Sequence, residues 1–488
     1  MELDERVCER ARRARDARFD GRFFVGVVST GIYCRPVCPA PTPKRANVRF
    51  FPSAAAAAQA GFRPCLRCRP EASPSTPVWL GSSATVSRAL KLIAGGSLDA
   101  AGVEKLADRL GIGSRHLRRL FLHHLGATPV AVAQTRRLHF AKKLIDETAL
   151  PMTQVALSAG FGSLRRFHAM FQAHYGRSPG DLRRIGPQAA DTGPSGEYRF
   201  RLMFRPPYDW PALLTFLASR AIPGVESAYG NAYRRTISVG GENGFLEACP
   251  LEGKPGLEVR VHFPDPCALL VILERVRRMF DLGADPAEIG RHLRKDPWLA
   301  AAVAHRPGLR VPGAWDGFEL AVRAVLGQQV TVKGASVLAG RLAQEFGVRT
   351  GYGLLFPPPE VLAEADCRRI GLTRARAQTL RELARAVCRG DVSFEGARGL
   401  DTFVAEFCAI PGIGEWTAHY VAMRALGEPD AFPASDRGLL RAVAGDTGGL
   451  TAKGLARRAE AWRPWRAYAA MHLWTALSDR TADACSGR

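Results

Sequence analysis

The chain has 488 residues, enough for about three or four domains at roughly 100–200 residues each. Hydrophobic residues make up 47% and charged residues 23%, a globular composition that excludes global disorder and a collagen-like fibre. Lys and Arg number 68 against 46 Asp and Glu, a formal charge of +22 that predicts a polyanionic partner. Met1 to Asp20 is densely charged, unlike a signal peptide, and no apolar run reaches the ~18 residues of a membrane span. A soluble, intracellular, DNA-binding protein of several domains is therefore expected. Residues 1–76 carry 14 basic and 7 acidic side chains, residues 78–185 carry 16 and 6, and residues 186–488 carry 38 and 33. The DNA-binding surface should be densest in the first two segments.

In residues 1–70 one run, Phe23 to Val28, reads as a strand, and so short a segment needs a staple such as a metal. Two stretches without apolar periodicity read as solvated linkers, Arg69 to Pro77 and Gly186 to Glu197. Between them the chain reads as helices: Val86, Ala89, Leu90 and Ile93 recur at helical spacing, as do Val103, Leu106, Ala107 and Leu110. Gly111 ends the second run, and Ser114 is positioned to cap a helix carrying Leu117, Leu120 and Phe121. A second copy follows Pro151: Met152 to Ala159, a turn at Gly160-Phe161-Gly162, then Ser163 to Tyr175. Two helix-turn-helix units are predicted, each with its second helix in the major groove. Arg115, Arg118 and Arg119 would project from the first, and Arg165, Arg166 and His168 from the second. A plain helical bundle with solvated charges fits the same pattern.

Residues 197–280 open with strict alternation at Tyr198, Phe200, Leu202 and Phe204, repeated at Leu257, Val259, Val261 and Phe263. Helices are expected over Pro211 to Arg220 and Cys267 to Phe280, giving an α+β layer, and from about Asp285 onward the chain reads as helix after helix.

Eleven cysteines, an odd number with no secretion signal, argue against a disulfide framework. Four are clustered: Cys34-x-x-x-Cys38 and Cys65-x-x-Cys68 have the spacing of a tetrahedral zinc site. Such a site has no open position for water and is ordinarily structural. Four thiolates on a divalent cation nevertheless keep about two negative charges, so a bound sulfur can attack a methyl group. The flanks, Thr30-Gly31-Ile32-Tyr33-Cys34-Arg35-Pro36-Val37-Cys38 and Ala60-Gly61-Phe62-Arg63-Pro64-Cys65-Leu66-Arg67-Cys68, resemble the amino-terminal domain of the Ada adaptive-response family. That resemblance implies that Cys34 accepts a methyl group from a DNA methylphosphotriester and that Cys38, Cys65 and Cys68 are the other zinc ligands.

Leu157-Ser158-Ala159-Gly160-Phe161 and Phe171 to Pro179 resemble the AraC-type DNA-binding domain, which has the same tandem arrangement. Further on, Ile410-Pro411-Gly412-Ile413-Gly414 is a hairpin between two expected helices. Gly412 and Gly414 there would let backbone amides approach a DNA phosphate. Asp436 follows 22 residues after Gly414, as a base-excision carboxylate or as the cap of a helix starting near Arg437.

Residues 197–475 resemble the AlkA-type 3-methyladenine DNA glycosylases, with further matches at Pro206-Pro207-Tyr208-Asp209-Trp210, Arg323 to Gln329 and Trp462-Arg463-Pro464-Trp465-Arg466. The resemblance implies Asp436 as catalytic carboxylate and Phe216, Trp416, Tyr420 and Trp474 as the base pocket. It also implies a monovalent-cation site at hairpin carbonyls near Cys408, Ile410 and Gly412. Gln329 stands where that family has a duplex-inserting leucine, and Arg437 and Thr475 replace pocket tyrosines. A Pro-Cys-His-Arg nucleophile, frequent in Ada proteins, is absent from the sequence.

The expected architecture is multidomain α+β. It runs from a zinc domain (1–76) and an all-α tandem helix-turn-helix domain (78–185) to an α+β, TBP-like subdomain (197–283) and an all-α helix-hairpin-helix core (284–488). The expected function is an alkylation response: methylphosphotriester repair, transcription activation and hydrolytic excision of alkylated bases. The resemblance implies zinc as cofactor, and double-stranded DNA and RNA polymerase as partners of a monomer in the bacterial cytoplasm at the nucleoid. A regulator whose last domain only recognises damage, and a glycosylase with a purely structural zinc, are the two rival readings.

Overall fold

The computed structural model describes residues 4–74, 84–99, 101–185, 196–444 and 450–486. The chain divides into two compact units, Met1–Pro206 with Ile237–Arg277 and Leu282–Ala284, and Pro207–Thr236 with Arg278–Asp281 and Asp285–Arg488.

The first unit opens with the helix Glu5–Ala14, whose preceding Asp4 carboxylate accepts the N–H groups of Arg6 and Val7. A four-stranded sheet follows, in the spatial order Val48–Phe51, Phe24–Val27, Ile32–Cys34, Arg63–Pro64. The expected run at Phe23 to Val28 supplies its second strand, and Val25 pairs with Cys34. Alternation sends Phe24 and Tyr33 to one face, where Phe51 and Phe62 pack on the helix Ala54–Gln59. Phe23, Val25 and Val48 pack on Cys8 and Ala11. Ala127, from the helical segment, sits in the Tyr33 core, so that segment completes the small sheet's packing.

One expectation is corrected here. Arg69 to Ala72 is not solvated linker: Pro70–Ala72 forms a 3-10 turn with Pro70 and Glu71 buried, and Arg69 pairs with Asp146 at 2.7 Å. The segment lacks apolar periodicity yet is buried, because its charges pair with one another and with Asp146. Residues 75–77 and most of the second expected linker, 186–195, lie outside the described residues.

Helices Ala84–Ala94, Val103–Arg109, Ser114–Leu125, Pro129–Glu147, Met152–Ser158, Leu164–Tyr175 and Pro179–Ile185 follow. Gly111 and Gly160 adopt φ of +70° and +79°, which frees each following helix to change direction. Ser163 caps its helix through the Arg166 N–H at 3.2 Å. Ser114 does not cap: Gly113 holds that position and Ser114 is already helical. The strand Glu197–Met203 pairs antiparallel with Gly256–His262, which pairs with Glu242–Pro250. Tyr198, Phe200, Leu202, Leu257, Val259, Val261 and Phe263 are all buried, while Phe204 lies past the strand end and is half-buried.

In the second unit the helix Trp210–Ala218 leads to the strand Glu226–Tyr229 and to residues 232–236, which pair with it, and the helix Gly317–Leu326 packs nearby through charge. Arg235 reaches Glu319 at 2.7 Å and Glu226 at 3.2 Å, and Arg323 reaches Glu226 at 3.1 Å. Each buried ion in this network has an opposite partner, which offsets its desolvation. The remaining helices include Arg374–Arg389, Leu400–Cys408, Glu415–Arg424, Arg437–Ala444 and Arg466–Ser486. The expected all-helical run is interrupted by a small hairpin, Val348–Thr350 with Gly353–Leu355. No helix among the described residues is long and apolar enough to cross a membrane.

Candidate functional sites

The first site is the cysteine cluster. Cys34 ends the strand Ile32–Cys34, and the next strand, Arg63–Pro64, runs parallel beside it and delivers Cys65. The Cys65 N–H bonds the Tyr33 carbonyl at 3.0 Å. The ligand atoms of Cys34, Cys38, Cys65 and Cys68 all lie within 4.8 Å of one another. Zinc with ~2.3 Å bonds to sulfur needs tetrahedral edges of about 3.8 Å, so the four residues fit the ion. Thiol-to-thiol hydrogen bonding raises Cys34 through Cys38 and Cys68 through Cys34, and through Cys34 it lowers Cys65 and brings Cys38 down to about 7. The Arg35 N–H donates to the Cys68 sulfur at 3.3 Å, and the Arg35 guanidinium bonds the Asp20 carboxylate and, at 3.1 Å, the Cys68 carbonyl. Cys68 is buried and held, whereas Cys34 is partly exposed at a strand end.

The second site is the pair of recognition helices. Leu117, Phe121 and Leu125 face inward on one, and Phe167, Phe171 and Tyr175 on the other. Arg115, Arg118, Arg119, Arg165, Arg166 and His168 are all exposed on the opposite faces. Arg118 makes one exposed contact, to Glu104 at 3.3 Å, and Arg119 one to His116.

The third site lies in the second unit. Gly412 has φ +88°, and a Cβ there would stand 2.1 Å from the Thr379 hydroxyl, so only glycine fits. Gly414 opens the helix Glu415–Arg424 with no atom near its missing Cβ, leaving that amino terminus accessible. The Gly412 carbonyl accepts the Gln328 amide at 3.1 Å, and the Ile410 carbonyl accepts the Ile413 N–H at 3.1 Å. Gln328 is followed by the exposed Gln329 at φ +57°, a left-handed conformation rare for a residue with a side chain.

Behind the hairpin, Trp416 and Tyr420 stack with ring centroids 5.3 Å apart and planes 7° apart. Trp474 meets Tyr420 edge-on at 6.4 Å. The indole N–H groups of Trp416 and Trp474 donate to the Asp436 carboxylate at 2.9 and 2.8 Å. Asp436 also accepts the Leu439 N–H at 2.9 Å, so it caps its helix as well as facing the aromatic pair.

Phe216 is placed differently from its three expected companions. Two guanidinium groups lie over its ring, Arg220 at 3.8 Å and Arg424 at 4.9 Å. Sequence reasoning missed both arginines. The available signal was spacing, since Arg424 follows Tyr420 by four residues and so shares its helix face.

This combination of a four-thiolate cluster, paired recognition helices and a helix-hairpin-helix element beside a carboxylate defines a multidomain DNA-acting class. Four family models match in the same order. They are the metal binding domain of Ada over residues 7–71, a helix-turn-helix domain over 106–185, the AlkA N-terminal domain over 199–316 and the HhH-GPD superfamily base excision DNA repair protein over 322–466. A Mycobacterium tuberculosis protein described as "Probable bifunctional transcriptional activator/DNA repair enzyme AlkA" is 42% identical over 98% of this chain and 97% of its own length. The Escherichia coli DNA-3-methyladenine glycosylase 2 is 35% identical over 56% of this chain and 96% of its own. A 3-methyladenine DNA-glycosylase structure from Archaeoglobus fulgidus shares the fold, with a TM-score of 0.51 at 22% identity over 57% of this chain and 98% of that one. The chain belongs to the family of the bifunctional transcriptional activator/DNA repair enzyme AlkA.

Proposed function

We propose that this protein removes alkylation damage by two chemistries and reads DNA with the helices between them. Segments 1–76, 78–185, 197–283 and 284–488 are the methyl-acceptor, promoter-reading, α+β and glycosylase parts. The observation that carries the repair reading is the convergence of two indole N–H groups on Asp436 beside the stacked Trp416–Tyr420 pair. That arrangement holds one carboxylate oxygen toward each indole. A flipped 3-methyladenine-type base enters beside the aromatic rings. As the glycosidic bond breaks, positive charge grows on the sugar; Asp436 stabilises it and orients the attacking water. Phosphates on either side are gripped by the Gly412–Gly414 amides, with a monovalent cation at the carbonyls near Cys408, Ile410 and Gly412. Gln329 fills the gap left by the flipped base.

Zinc, when bound, keeps the four sulfurs as thiolates. The Cys34 sulfur attacks the methyl carbon of a methylphosphotriester in line. A carbon–sulfur bond forms, the methyl–oxygen bond breaks, and a phosphodiester anion leaves. The cluster's charge falls from about −2 to about −1, so Arg115, Arg118, Arg119, Arg165 and Arg166 are opposed less at the phosphates. Tighter promoter binding by the monomer then recruits RNA polymerase.

Full-length protein incubated with methylated duplex should release free 3-methyladenine and leave the strand intact, with no adduct trapped by borohydride. Trp416 offers no amine for a Schiff base, so a trapped adduct would overturn the hydrolytic route. In parallel, methylphosphotriester DNA should add the mass of one methyl group to the Cys34 peptide. Transfer to Cys65, or to no residue, would refute the acceptor assignment.

A further inference from the structure

The short loop between the helices Gly317–Leu326 and Val332–Phe346 is fixed at both ends. The Gly327 N–H bonds the Arg323 carbonyl at 2.9 Å, and the Thr331 hydroxyl caps the second helix by accepting the Gly334 N–H at 3.1 Å. Gln328 ties the loop to the hairpin and to a third helix. Its side-chain amide donates to the Gly412 carbonyl at 3.1 Å and the Thr417 hydroxyl at 3.3 Å, and its own carbonyl accepts from the Arg376 guanidinium at 2.6 Å. Gln329, next in the chain, is the opposite case. Its side chain is exposed and makes no hydrogen bond among the described residues. Its φ of +57° is a conformation that a residue with a side chain holds only at a cost. Val330 and Val332 beside it are 38% and 44% exposed. A braced frame thus presents a strained, unpartnered amide at its tip, with apolar surface alongside. Strain at such a tip is offset by what the tip meets.

We infer that the Gln329 amide reads the pyrimidine left unpaired when a damaged purine is flipped out. The inference rests on the base-excision reading and deepens it: the substrate class becomes a damaged purine in paired DNA, opposite a pyrimidine. Flipping strips the partner base of every hydrogen bond on its pairing edge. An apolar side chain in the gap displaces water from that edge and leaves its donors and acceptors unsatisfied, which is costly. A glutamine amide carries an accepting oxygen and an NH2 donor side by side. Against thymine, the oxygen accepts N3–H and the nitrogen donates to O4. Turned over, the same amide accepts from the N4 amino group of cytosine and donates to N3. One side chain therefore serves lesions opposite either pyrimidine. Val330 and Val332 supply the apolar surface that keeps water from the contact.

The probe is a duplex with a single tetrahydrofuran abasic site, which has no base to flip or to pair and so isolates the gap. The site is placed opposite thymine or opposite difluorotoluene, a thymine isostere without a hydrogen-bonding edge. Dissociation constants of the full chain are measured by fluorescence anisotropy for wild type, Gln329→Leu and Gln329→Gly, after circular dichroism shows each variant folded. Wild type should bind the thymine duplex about fivefold or more tightly than its isostere, the scale of one or two net hydrogen bonds. Gln329→Leu still fills the gap. It should keep the preference for abasic over undamaged duplex, yet bind the two abasic duplexes within about twofold of each other. Gln329→Gly suits the left-handed backbone, so it folds even where leucine does not, and it should lose both preferences. Equal binding of the two abasic duplexes by wild type, or a thymine preference that survives in either variant, would overturn the inference. No preference of wild type for abasic over undamaged duplex would instead defeat the base-excision reading on which the inference stands.

Discussion

The hydroxyl of Tyr33 lies 3.0 Å from Nε2 of His139, so the residue before Cys34 is hydrogen-bonded to the helix Pro129–Glu147, which joins the two recognition elements. Ser53 Oγ adds a bond to the Leu125 carbonyl at 2.7 Å, and Arg69, Asp146 and Lys142 form a buried charge cluster on the same side. The thiolate segment and the helical segment therefore fold as one body of packing within the first unit.

The burial of His139 has a pH signature. Burial, with a smaller contribution from His174, lowers His139 to about 4. Between roughly pH 6.5 and 4 the unfolded chain takes a proton at this position and the folded chain does not. Stability from His139 is thus complete above the unfolded value and is lost as pH falls. Unfolding followed by hydrogen exchange in the first unit should show a decline across that window, smaller in His139→Gln by roughly 2–3 kcal/mol at pH 4. An identical slope in the variant would contradict the assignment.

Metal removal should act locally. A thiol-binding mercurial should release one zinc per chain and melt residues around the four cysteines. Base release, proposed above for residues of the second unit alone, should persist within about twofold. Cys68→Ala should lower zinc affinity at least as far as Cys34→Ala does, because its sulfur also accepts the Arg35 N–H. Zinc content after dialysis, read by absorption spectrometry, decides this.

The hairpin glycines should separate folding from DNA contact. Gly412→Ala forces a Cβ against Thr379 in a left-handed backbone and should cost about 1–3 kcal/mol. Gly414→Ala meets open space and should fold normally, yet raise the half-saturation concentration for damaged DNA by obstructing the phosphate. Chemical denaturation and fluorescence anisotropy give the two numbers.

Much of this was legible in the sequence because the information was local. The cysteine spacings, the paired turns at Gly111 and Gly160, and the separation of Gly414 from Asp436 are properties of short segments. The misses depend on what folds against them. Ser114 and Ser163 look alike in sequence, but Gly113 takes the first cap position and only Ser163 caps. Arg69 reads as linker until Asp146, 77 positions later, arrives to pair with it. Arg424 is unremarkable on its helix, and its meaning comes from the Pro312 and Gly313 carbonyls more than a hundred residues earlier. Conversely, Asp436 admitted two readings, cap and carboxylate of the site, and its three hydrogen bonds accommodate both.

The most direct measurement is base release by Asp436→Asn. The amide keeps the size and can still cap through one oxygen, as Leu439 requires, but it cannot accept from both indoles and carries no charge. The variant should fold, bind methylated DNA as wild type does and release 3-methyladenine about a hundredfold or more slowly in a single turnover. Excision at the wild-type rate would leave Asp436 as a helix cap alone, with no part in base release.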